Sequence, residues 1–87
     1  MEKFIIKVYQ RETKNIPHFS GYYRSGDIIF FGNTRRLLLT EQSKDATVFY
    51  DKSRAIENAK RLLKYRFVNE VEVWDFDTGK CYFRSSK

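Results

Sequence analysis

Apolar residues recur at three- and four-residue steps from Ala55 through Ile56, Ala59, Leu62 and Leu63 to Phe67, which places them on one face of a 3.6-residue repeat. The other residues between Lys52 and Arg66 are polar or aromatic-polar, so the spacing predicts one long amphipathic helix. Asp51 and Ser53 are both N-cap types, and the Asp51 carboxylate suits the positive end of the helix dipole. The helix is therefore expected to start between Asp51 and Arg54. Lys64 and Arg66 fit a last turn, and Val68-Asn69-Glu70 returns to an extended pattern, giving an expected stop at residues 65–67.

Elsewhere the period is two. Residues 3–9 predict a first strand with Phe4, Ile6 and Val8 facing the core. A polar connection, 11–17, holds the only proline. Ser25-Gly26 then separates an extended run, 19–24, from a second, 27–31, and Gly32-Asn33 predicts a two-residue hairpin turn into a third, 34–40. Residues 41–45 form a charged loop, and 47–50 a short extended piece before the helix. After the helix, Val71 and Val73 alternate with Glu70 and Glu72, then Trp74 and Phe76 with Asp75 and Asp77. The apolar positions switch from odd to even, which predicts a β-bulge near Val73-Trp74 in preference to a strand with its aromatics on the opposite face from its valines. Asp77-Thr78-Gly79-Lys80 predicts a hairpin loop with Gly79 in the left-handed region, returning over 81–84, with 85–87 frayed.

These elements give an α+β fold in a single domain, 1–87: a small antiparallel sheet of about four to six strands, one amphipathic helix packed across it, and the order β-β-β-β-α-β-β. The pattern leaves open whether the 70–84 hairpin joins the main sheet.

Composition changes this picture in four ways. Aromatic residues supply 17% of the 87-residue chain, so rings should build much of a small core. With Cys81 the only cysteine and His18 the only histidine, an internal disulfide and a four-ligand N/S zinc site are both excluded. No apolar run approaches a signal peptide's core or a membrane span, so a cytoplasmic location without membrane contact is expected. Charge is the most informative. Between Lys52 and Arg66 six bases stand against Glu57 alone, so +5 of the formal +6 lies on the predicted helix. Arg54, Lys60, Arg61 and Lys64 occupy the face opposite Ile56, Ala59, Leu62 and Leu63 and would project together. Such a row suits phosphates or an acidic protein surface; it also suits a plain solvated helix face, partly neutralised if the acidic 70–77 strand packs beside it.

Arg35 and Arg36 follow the Gly32-Asn33 turn, as in a basic hairpin that enters a groove, but they point to opposite sides, so only one serves a given surface, and solubilising turn charge is the preferred reading. Tyr22-Tyr23 and Phe30-Phe31 must each put one ring on either sheet face, and an exposed ring can stack on an unpaired base. Trp74 and Phe76, with Tyr22 and Tyr23, are candidate aromatics for a protein partner. Catalytic signals are sparse: His18 and Ser20 lack a carboxylate to orient the imidazole, Glu70/Glu72 and Asp75/Asp77 read as charge guarding a strand edge, and the glycines have no phosphate-loop spacing. No catalytic residue, metal or cofactor is expected.

The segment Ala46-Thr-Val-Phe-Tyr-Asp-Lys-Ser-Arg-Ala-Ile-Glu-Asn-Ala-Lys-Arg-Leu62, an aromatic before a capped x-x-x-Ala-x-x-x-Ala-x-x-Leu helix, follows an opening strand Phe4-Ile-Ile-Lys-Val8. It resembles small proteins of bacteriophages and mobile elements of Gram-positive bacteria, most without an assigned activity. It is also similar to the arm-type DNA-binding domain of tyrosine integrases, departing from it in lacking a basic strand run beyond Arg35 and Arg36 and in the Trp-bearing hairpin that follows. The resemblance suggests a small accessory protein of phage type, and the +5 charge on the helix makes a non-enzymatic contact with nucleic acid or a nucleoprotein through that basic helix the leading expectation. The alternative is a protein-interaction module, such as an inhibitor of a host defence enzyme, using exposed aromatics. A homodimer would set two basic helices side by side.

Overall fold

The computed structural model describes residues 2–10, 21–31 and 34–87. The expected polar connection 11–17, His18, Ser20 and the Gly32-Asn33 turn lie outside these residues.

Alternation in β1 (Phe4–Gln10) places Phe4, Ile6 and Val8 in the core, as expected, and makes β1 the centre of the molecule. On one side it pairs antiparallel with β4 (Val68–Asp75) over nearly its whole length. On the other it pairs with β2 (Gly21–Phe31) only at Lys7↔Tyr22 and Val8↔Gly21. Where β2 leaves, Phe49 takes its place, exchanging backbone hydrogen bonds of 2.7 and 2.8 Å with Phe4. β3 (Thr34–Thr40) pairs with β2, and β5 (Cys81–Ser86) with β4, completing an open antiparallel sheet in the order β3-β2-β1-β4-β5. The 70–84 hairpin is thus part of the one sheet.

The α+β class and the element order hold roughly as expected, with one merger. The runs flanking Ser25-Gly26 are a single strand: Tyr23 pairs with Leu39 and Ile28 with Leu37, so residues 24–27 face Leu38 alone. Gly26 turns this wide bulge at φ 76°, a conformation an L side chain adopts only with strain.

β4 carries a second correction. Its register with β1 is regular from Val71 to Asp75, so Val71 and Val73 face the core while Glu70, Glu72 and Trp74 face away. A register shift does fall at Val73/Trp74, but the extra residue is Tyr82 on β5, because Val73 pairs with Phe83 and Trp74 with Cys81. Asp75 is buried and its Oδ1 accepts from the backbone N–H of Asp77 and Thr78, each at 2.9 Å, which turns the chain toward Gly79 (φ 73°) as expected. Ser85 and Ser86, expected to fray, continue β5 by pairing with Val71 and Glu70, and the Lys87 N–H donates to the Asn69 carbonyl at 3.0 Å.

The helix α1 (Lys52–Leu62) begins as its sequence dictates: Asp51 is extended and its carboxylate accepts from Ser53 N–H at 2.8 Å. It ends earlier than expected. Beyond Leu62 the bonds tighten to i→i+3, Lys64 N–H to Arg61 and Tyr65 N–H to Leu62, and turns carry the chain to Phe67. Ala55, Ala59 and Leu62 pack with Phe4, Ile6, Val8, Leu37, Val71 and Val73. Only one face of the sheet receives the helix.

Candidate functional site

Burying Ala55, Ala59 and Leu62 obliges the opposite side of α1 to face solvent, and Arg54, Lys60 and Arg61 are exposed there; Lys64, expected on the helix, is exposed in the turn just past its end. With Phe49, Glu57 and Asn58 they line an open groove of about 780 Å³. The Lys60 ammonium also stands 5.7 Å from the centre of the Phe83 ring. A smaller cleft of about 250 Å³ is lined by Tyr23, Gly26, Asn58, Arg61, Leu62 and Tyr65. Asn58 and Arg61 belong to both.

Asn58 was not among the expected site residues. It lies three residues after Ala55 and four before Leu62, within the apolar stripe, and that interruption is its signal in the sequence. It is 7% exposed; its Oδ1 accepts from Arg61 Nη2, and its Nδ2 has no hydrogen-bond partner among the described residues.

The acidic strand does not neutralise this groove in the way its neighbourhood in sequence suggests. β4 meets the helix with its valines, so Glu70 and Glu72 project from the far side of the sheet, where both pair with Arg84. Asp75 is occupied by its turn. Among the described residues no ion pair reaches Arg54, Lys60, Arg61 or Lys64.

That far face is a second surface. Lys7 pairs across the strands with Tyr22 and Glu72, and its ammonium stands 5.3 Å from the Tyr9 ring and 5.9 Å from those of Tyr22 and Trp74. Beneath them Glu72 is 1% exposed and accepts from the Tyr9 hydroxyl at 2.7 Å, Trp74 Nε1 at 3.3 Å and Arg84 Nε at 2.7 Å. Burial alone would push the Glu72 carboxyl up, but the donors Tyr9, Arg84 and Trp74 outweigh it and hold it below the usual carboxylate range. A carboxyl with a folded pKa below its unfolded one binds fewer protons in the folded state. Its stabilisation is therefore complete above about pH 4.3, the ordinary glutamate value, and is lost as pH falls through the depressed one. Glu72→Gln is expected to cost about 1–3 kcal/mol at neutral pH and to flatten the acid limb of the stability curve, measured by urea unfolding across pH.

The remaining candidates divide. Arg35 is exposed, whereas Arg36 is 4% exposed, stacked 5.5 Å from the centre of the Phe67 ring, with Nη1 donating to the Arg35 carbonyl at 2.7 Å. Arg36 is therefore withdrawn from a partner's reach. Tyr22 lies on the open sheet face, while Tyr23 packs toward the core and stacks on Phe49, 6.2 Å between centres. Phe76 lies past the end of β4, half-buried under the Lys3 ammonium. Among the described residues no group of His, Cys, Asp and Glu is placed to hold a metal ion, and no helix is long and apolar enough to cross a membrane. Comparison with family models, with curated proteins and with solved structures finds no match.

Proposed function

We propose that this chain is a small non-enzymatic accessory protein, of the phage or mobile-element kind its middle segment resembles, that contacts nucleic acid or a nucleoprotein through the basic side of α1. The observation that carries this reading is the convergence of Arg54, Lys60, Arg61 and Lys64 on one open groove while Glu70 and Glu72 face the other side of the sheet. A local positive field of this kind attracts a polyanion and releases its counterions. Fluorescence anisotropy with labelled single- and double-stranded DNA and RNA tests it. If these four bases meet phosphates, affinity falls about 50- to 150-fold between ~50 and ~200 mM salt. Absence of binding at the lower salt removes the reading.

A second reading is favoured by the sheet face away from α1: among the described residues Tyr9, Tyr22 and Trp74 are each half-exposed around Lys7 there. Rings with their polar tips turned inward onto Glu72 suit a protein partner, for example a host enzyme that the chain inhibits.

A further inference from the structure

We infer that the two clefts sharing Asn58 and Arg61 take one unpaired nucleotide of a single strand, its phosphate held by Arg54, Arg61 and Lys64 and its base accepting a hydrogen bond from Asn58 Nδ2. This rests on the reading of α1 as a nucleic-acid surface and specifies the kind of nucleic acid.

Three observations lead there. The groove, about 780 Å³, has the size of a small-ligand pocket, which commonly spans about 300–1,000 Å³, and it suits a nucleotide better than the continuous ridge of a duplex. Its lining joins bases to rings: Phe49 in the larger cleft, Tyr23 and Tyr65 in the smaller, with Tyr65 fixed by its stack on Phe67 at 5.3 Å. Phosphate-binding charge beside aromatic rings is the arrangement that holds single strands, whose bases are free to stack.

The third observation is Asn58 itself. Arg61 can only donate, so the atom it reaches must be the amide oxygen, and the nitrogen is left as the donor with no partner among the described residues. A buried donor left unmade is destabilising, and such groups call for an explanation. Arg61 is exposed, so its guanidinium can turn outward onto a phosphate and uncover the amide it now caps. A base that offers an acceptor beside an N–H, as thymine does, then meets both the Nδ2 and the Oδ1 of Asn58. In a duplex the base is stacked and its Watson–Crick edge is paired, so that edge cannot be turned into the cleft.

The test uses the whole chain with a labelled short oligothymidylate and with the duplex it forms with oligoadenylate, read by anisotropy together with the emission of Trp74, the only tryptophan. The single strand should bind about tenfold tighter than the duplex, the increment expected of one stacked, hydrogen-bonded base. Trp74 lies on the opposite sheet face, so its emission should stay unchanged. Asn58→Ala should weaken oligothymidylate binding about tenfold while changing the melting temperature little, because it removes the unpaired Nδ2 donor together with a contact to the exposed Arg61 side chain. Asn58→Asp, which keeps the shape and the Arg61 bond but has no N–H to give, should weaken it at least as much. Equal or tighter duplex binding, or full affinity in both Asn58 variants, overturns the inference and leaves the helix reading standing; Trp74 quenching in step with binding overturns both, because Trp74 lies on the face away from α1. If neither probe binds, both fall.

Discussion

Ala59→Asp is expected to abolish cooperative unfolding, leaving a chain without a folded baseline in a circular dichroism melt at neutral pH. Ala59 is 0% exposed and packs in the cluster that joins α1 to β1 and β4. The side chains of that cluster are apolar, so a carboxylate set among them would be desolvated. Such a group costs several kcal/mol, or stays protonated at similar expense, and small domains hold only about 5–15 kcal/mol in total. A domain of this size sits toward the lower part of that range because it buries a smaller share of its surface. Lys60→Asp, one position along and exposed, is the control: it should shift the melting temperature by only a few degrees, through the lost cation in the last helical turn. A cooperative melt of Ala59→Asp at the parent temperature would refute the packing face assigned to α1.

The contrast between positions 59 and 60 was legible in the sequence because helical periodicity is a local signal, and the same holds for Phe4, Ile6 and Val8 at period two. The Asp51 cap and the Gly79 turn were legible for the same reason, each needing only nearby residues. What failed were the features that depend on a distant strand. The switch from odd to even apolar positions after Val73 reads as a bulge in that strand; the register does shift at Val73/Trp74, but the extra residue is Tyr82 on β5, and Trp74 is a ring on the open face. Glu72 has the alternation of a solvent residue, but Tyr9 and Arg84, 63 and 12 residues away, close over it. Gly26 marked a break, and only pairing with β3 shows it to be a bulge within one strand. Arg36 looked like hairpin charge until the ring of Phe67 is brought to it by the turns after α1.

The same dependence on distant strands decides which surface a partner meets, and one pair of variants separates the two. Simultaneous Arg54→Glu, Arg61→Glu and Lys64→Glu should reduce nucleic-acid affinity more than about 1,000-fold, to no detectable anisotropy change at ~50 mM salt. Each substitution replaces an attractive phosphate contact by a repulsive one, and roughly 1.4 kcal/mol per site already gives that product. Arg54 and Arg61 are seven residues apart, two helical turns along the same flank, and Lys64 follows one turn later, so a single strand crossing the groove meets all three. The variant should still fold, since the three side chains are exposed and make no ion pair among the described residues. Acids near the helix C-terminus should lower its melting temperature by only several degrees. Trp74→Phe, which keeps a ring on the open face while losing the N–H bond to Glu72, should leave nucleic-acid affinity within about twofold, because Trp74 stands on the side of the sheet away from α1. The reverse outcome, binding that survives the triple reversal and disappears with Trp74→Ala, would transfer the contact to Tyr9, Tyr22 and Trp74, because rings carry their affinity in surface that salt and charge reversal leave untouched.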